Sequence, residues 1–146
     1  MLKKLLLIFA ISFFLTCCNP NHTSIPNMPV RLEFYLVSAP ELNNYFGFKE
    51  FVEPQHATQY LGYGGILVFH TIDDRFCAFD MSCPYEAKPD VRVHCDITGF
   101  ARCDSCQSTF YVGDGNAFLV DGKAKFPLKS YQVYYNSALG SIFVTN

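Results

Sequence analysis

Cys103-Asp104-Ser105-Cys106-Gln107-Ser108-Thr109-Phe110 decides how this chain is read, together with Cys83-Pro84-Tyr85-Glu86 upstream. The two short cysteine loops lie about twenty residues apart, and each sits between β-like runs. That spacing places a site between two loops that connect strands. Thiols so placed can hold iron or zinc, or can be oxidised to a disulfide.

The flanks of the loops read as strands. Ile66-Leu67-Val68-Phe69 follows Gly62-Tyr63-Gly64-Gly65 and is continuously apolar, as expected of a strand buried on both faces. Asp73-Asp74 turns it into Arg75-Phe76-Cys77-Ala78-Phe79, which completes a hairpin. Val91 to Ile97 alternates, with Val91, Val93, Cys95 and Ile97 on an inward face and Arg92, His94 and Asp96 outward. Val30 to Val37, Thr109 to Val112, Ala117 to Val120, Gln132 to Tyr135 and Ser141 to Val144 add further short strands. Gly113-Asp114-Gly115-Asn116, Asp121-Gly122 and Leu139-Gly140 punctuate them. Residues 38 to 62 are less regular. No stretch keeps a helical period over three turns. The expectation is an all-β, antiparallel barrel or sandwich with two cysteine loops.

The N-terminus carries a different signal. Met1-Leu2-Lys3-Lys4 is basic, Leu5 to Leu15 is an apolar run of eleven residues, and Leu15-Thr16-Cys17-Cys18 ends it. The run is too short to span a bilayer as a mature helix. It resembles a bacterial lipoprotein signal, in which the terminal cysteine becomes lipidated. Leu15 three places upstream favours Cys18; Thr16 as immediate neighbour favours Cys17. Residues 1–18 are therefore expected to be the signal, residues 19–29, rich in Pro and Asn, a tether, and residues 30–146 one domain. The expected location is the cell envelope outside the cytoplasm, with the membrane as a partner through the lipid. Thiols there are prone to disulfide formation.

Charge gives little else. The formal net charge is -2, and removing Lys3 and Lys4 leaves 9 basic and 13 acidic residues. No basic patch is visible, so nucleic acid is not expected as a partner. No Ser-His-Asp set, paired carboxylates or phosphate loop is evident, and no catalytic activity of its own is expected.

Cys77 and Cys95 share strand faces with Phe79 and Val93 and read as small buried hydrophobes. Cys83, Cys103 and Cys106 lie in loops and are the metal-ligand candidates. Zinc would want a second complete arm, and the first loop offers only Cys83. Thioredoxin-like redox chemistry would want a helix after Cys106, where a strand follows. His22, His56, His70 and His94 read as surface or tether residues.

These residues resemble the Rieske [2Fe-2S] domain over roughly Ile66 to Val144. Cys83-Pro84 matches the start of the family's first loop, with Tyr85 at the histidine position. Cys103, Ser108 and Phe110 match the second loop, with Cys106 at its histidine position. The Asp114-Gly115 turn, Phe126-Pro127-Leu128, Tyr131-Gln132-Val133 and Ile142-Phe143-Val144 continue the pattern. The resemblance implies a [2Fe-2S] cluster held by Cys83, Cys103, Cys106 and a fourth ligand such as Tyr85. It implies one-electron transfer as a carrier or subunit, with a redox partner protein. Thiolate or phenolate in place of imidazole implies a lower potential than a usual Rieske centre. The alternative is a cluster-free structural or interaction lipoprotein on the same scaffold. It would be closed by zinc or by a disulfide from Cys83 to Cys103 or Cys106. Three loop thiols exceed what one disulfide needs, which favours a metal.

Overall fold

The computed structural model describes residues 24–146. The expected signal at 1–18, with Cys17 and Cys18, and residues 19–23 of the expected tether lie outside the described residues. No helix among the described residues is long and apolar enough to cross a membrane.

The described chain is all-β, and every strand pairing is antiparallel. In order the strands are β1 (Val30–Tyr35), β2 (Phe48–Phe51), β3 (Tyr60–Leu61), β4 (Ile66–His70), β5 (Phe76–Asp80) and β6 (Val93–Cys95). They continue with β7 (Phe100–Cys103), β8 (Thr109–Tyr111), β9 (Phe118–Asp121), β10 (Ser130–Asn136) and β11 (Ser141–Thr145). Among the described residues, helical structure is confined to 3-10 turns at Leu36–Ser38 and Pro40–Asn43. A seven-stranded sheet runs β2-β4-β5-β10-β11-β1-β3, and a four-stranded sheet runs β6-β7-β8-β9.

The larger sheet curls into a nearly closed barrel. Phe34 near one end of the sheet order and Phe51 at the other stand with ring centroids 4.9 Å apart. The barrel interior holds Val30, Leu32, Phe34, Ile66, Val68, Ile142 and Val144. Along β1, residues alternate between buried and exposed, so one face of the strand supplies this core.

β4 behaves differently, and its sequence says why. All five of its residues are buried. Ile66 and Val68 face the barrel interior, while Leu67 and Phe69 face a second core that the small sheet closes over. A strand sandwiched between two cores can carry no polar face, hence the unbroken apolar run. Phe79, Met81, Val93, Ala101, Phe110 and Val112 fill the second core, and Cys83, Cys103 and Cys106 belong to it. Fully burying each large apolar side chain contributes about 1.5–3 kcal/mol.

The hairpin of β4 and β5 forms as expected, pairing Val68 with Ala78 at its centre. Two expectations are corrected. Ile97 does not point inward; it is 81 % exposed. β6 ends at Cys95 because Asp96 closes a turn, its carboxylate accepting from the N–H of Thr98 at 2.8 Å while its own N–H donates to Phe100. His70 is buried rather than superficial. Its ring contacts Leu42 O through Nδ1 and Asp74 through Nε2, both at 2.9 Å.

Residues 24–29 lie against the domain. Ile25 is buried, and the Lys129 ammonium donates to Pro26 O and Asn27 Oδ1 at 2.8 Å each. Ser24 Oγ donates to Pro84 O, next to Cys83.

Candidate metal centre

Cys83 lies in the loop from β5 to β6, and Cys103 ends β7 and opens the loop to β8. Val93 pairs with Cys103, and an isolated bridge pairs Ser82 with Arg92. Those pairings bring the two loops side by side. Both loops close the same way. The N–H of Ala87 donates to Cys83 O, and the N–H of Gln107 donates to Cys103 O, each at 2.9 Å. Both donors sit in the left-handed region, Ala87 at φ 50° and Gln107 at φ 62°. For residues with a Cβ this conformation is uncommon, so the surroundings hold it in place.

The result is a knot of three buried sulfurs. Sγ of Cys83, Cys103 and Cys106 all lie within 4.8 Å of one another. Cys83 and Cys106 are 3.5 Å apart. Two sulfurs at about 2.3 Å from one tetrahedral ion would be about 3.8 Å apart, so the Cys83–Cys106 spacing suits a pair of ligands on one metal ion. At most 5 % of any of the three residues is exposed, which would exclude water from bound metal.

The sulfurs are not equivalent. Burial pushes the Cys83 thiol up, although the N–H groups of Glu86 and Tyr85 point at its sulfur and partly oppose this. Burial also acts on Cys106 as the largest single effect, but it is outweighed, and the thiol lies below its ordinary value. The opposing effects are the Ser108 hydroxyl and N–H, then the neighbouring thiols. Ser108 Oγ is 3.1 Å from Cys106 Sγ and already accepts from the N–H groups of Lys123 and Ala124 at 3.0 Å each. The Cys106 thiol donates to this oxygen, and once the sulfur is ionised the Ser108 hydroxyl proton can turn to it instead. The sharp turn at Gly122 makes this possible: φ is +111°, and a Cβ there would stand 2.4 Å from Ser108 Cα. These partners favour the ionised form of Cys106, the form that binds metal.

A buried carboxylate fixes the approach to the first loop. Asp80 is wholly buried. Its Oδ1 accepts from Gly64 N–H at 3.1 Å and Ser82 N–H at 2.8 Å; its Oδ2 accepts from Tyr63 N–H at 2.9 Å and Tyr131 OH at 2.5 Å. Burial, then Asp80 itself, raises the Tyr131 phenol far above its ordinary value, so Tyr131 stays a donor. Sequence reasoning missed Asp80. The available signal was a carboxylate at the inner end of an apolar strand, which can stay there only if donors converge on it.

Of the four expected ligands, the structure brings three together. Tyr85, the other expected ligand, is 51 % exposed, with the Lys123 ammonium 5.9 Å above its ring. Glu86, not considered a ligand from sequence, is half-buried, and its Oε1 accepts from Ser105 Oγ at 2.9 Å. Cys77 and Cys95 are half-buried against the second core, as small apolar side chains. Burial, reinforced by Asp96, pushes Cys95 up to about 12, so it stays protonated. His56 and His94 are exposed, His94 3.2 Å from Glu50. No histidine joins the sulfur group among the described residues.

No family model matches the chain. No curated protein matches it. Among solved structures, it is similar to a chain from Mycobacterium tuberculosis described as the small subunit of an NADH-dependent nitrite reductase. The two share 13 % identity over 82 % of this chain and 97 % of that one, with a TM-score of 0.42.

Proposed function

We propose that this chain is a membrane-anchored, Rieske-like iron-sulfur protein that carries one electron at a time, alone or as a subunit beside a redox partner protein. The observation that carries the reading is the convergence of Cys83, Cys103 and Cys106 sulfurs within 4.8 Å from two β-connecting loops. Those cysteines would hold a [2Fe-2S] cluster, which supplies reversible one-electron chemistry. The protein contributes the rest. Burial keeps water from the sulfurs, N–H groups aimed at Cys83 and the Ser108 hydroxyl stabilise negative charge there, and the two strand pairs keep the loops in register. With thiolates where the family has imidazole, the midpoint potential is expected below that of a His-ligated centre. Lipid on Cys18, or on Cys17, would hold the protein in the cell envelope.

The test is anaerobic preparation of the chain, with iron and sulfide analysis and visible absorbance before and after reduction. Equimolar or greater iron with charge-transfer bands that bleach on reduction is expected. Cys103→Ser should abolish the colour. Colourless, iron-free protein would sink the electron-transfer reading.

One observation favours a second reading. Cys83 Sγ and Cys106 Sγ, 3.5 Å apart, are positioned for a disulfide. In an oxidising compartment the two thiols would lose two protons and two electrons to an external oxidant and form one S–S bond. The protein would then be a cluster-free structural or interaction lipoprotein. Thiol titration of iron-free protein, two lower before reduction than after, would identify this state.

A further inference from the structure

The two cysteine loops are copies of one another in backbone terms, and this assigns the ligand that the three sulfurs lack. Cys83 and Cys103 open the loops; Ala87 and Gln107 close them with equal 2.9 Å hydrogen bonds and left-handed φ. Counting from these fixed points, Pro84 corresponds to Asp104, Tyr85 to Ser105 and Glu86 to Cys106. Cys106, third after the opening cysteine, turns its side chain into the sulfur group. Glu86 holds the same place in the first loop and carries a carboxylate, a competent iron and zinc ligand. Tyr85 holds the place of Ser105, and both residues are exposed.

We propose that Glu86 is the fourth metal ligand, so that each loop delivers two ligands from its first and fourth positions: Cys83 and Glu86, Cys103 and Cys106. The carboxylate now lies outside the sulfur group, where it accepts from Ser105, the residue beside Cys106. It is a half-buried side chain with rotatable bonds, held by a single hydroxyl, and reaches the metal by exchanging that hydrogen bond for a metal–oxygen bond. The turn closed by the Ala87 N–H on Cys83 O holds the Glu86 backbone in the place that the matching turn gives Cys106. Three thiolates and one carboxylate would carry a net charge one unit more negative than three thiolates and a neutral ligand. This proposal rests on the metal-bearing reading of the site.

Cobalt(II), added to the reduced full mature chain, is the probe, because its tetrahedral visible bands and sulfur-to-cobalt charge transfer report ligand type and number. Wild type should show the intensity of three thiolates. Glu86→Gln should weaken cobalt binding by about tenfold or more with thiolate charge transfer retained. Glu86→Cys should tighten it and raise charge-transfer intensity by about one third, four thiolates replacing three. Tyr85→Phe should change neither. Melting of the metal-free variants serves as the folding control. Wild-type behaviour of both Glu86 variants, or weakening by Tyr85→Phe alone, would overturn the assignment while leaving the metal centre standing. Failure of reduced wild type to bind cobalt or iron at all would overturn the metal centre and the assignment with it.

Discussion

Asp80 shows how much of the site depends on a residue that touches no sulfur. Its two oxygens collect three N–H groups and one phenol, and the Ser82 N–H among them immediately precedes Cys83. Asp80→Asn would turn an NH₂ toward donors that have no other acceptor, a loss of about 3 kcal/mol. Tyr131→Phe removes one donor and leaves Oδ2 satisfied by Tyr63, so about 1–2 kcal/mol is expected. Urea unfolding of the reduced, metal-free protein should show that order; the reverse would mean that Tyr131, through packing, matters more than the carboxylate. The thiol candidates were legible in the sequence because cysteine has no packing reason to sit in a polar loop. Asp80 was not, because an acidic residue at a strand end usually faces solvent. The long-range approach of Tyr63, Gly64 and Tyr131 turns this one into an interior acceptor.

Elements were legible in proportion to how much their own residues decide. β4 announced itself as buried on both faces, and the two cores on either side explain it. β2 and β3 were not anticipated. They are four and two residues long, lie in a stretch broken by Pro40 and Pro54, and exist only through their pairing to β4 and β1. The matching shape of the two cysteine loops was also hidden. Glycine usually marks a left-handed residue, and here Ala87 and Gln107 fill those positions instead. A left-handed residue with a Cβ costs about 1–2 kcal/mol, while glycine costs some of that back in chain entropy. Ala87→Gly should therefore stabilise the metal-free protein by about 0.5–1 kcal/mol, whereas Ala87→Val should destabilise it. Thermal melting checks both, and a destabilised Ala87→Gly would show that the loop is not strained at this point.

For the whole molecule, the all-β class followed from many short strands and the absence of helical periodicity. The division into barrel and small sheet did not, because it is settled by distant partners: Tyr131 pairs with Ala78, and Val144 with both Leu32 and Val133. Residues 24–29 also belong to this scale, since they join the start of the described chain to the first cysteine loop. A chain beginning at Val30 should melt lower than one beginning at Asn19, by the equivalent of about 1.5–3 kcal/mol for the lost burial of Ile25. Equal melting points would show that the segment adds nothing to the fold.

The contact of Ser24 with Pro84 would set the length of a mooring if the proposed lipid is present. With lipid on Cys18, as proposed, six residue steps reach Ser24, and a fully extended chain covers about 20 Å in that span. The thiol centre would ride within roughly one small-domain diameter of the bilayer surface, its orientation limited by where the line is tied. Encounter with a partner anchored in the same membrane would then be a search in two dimensions.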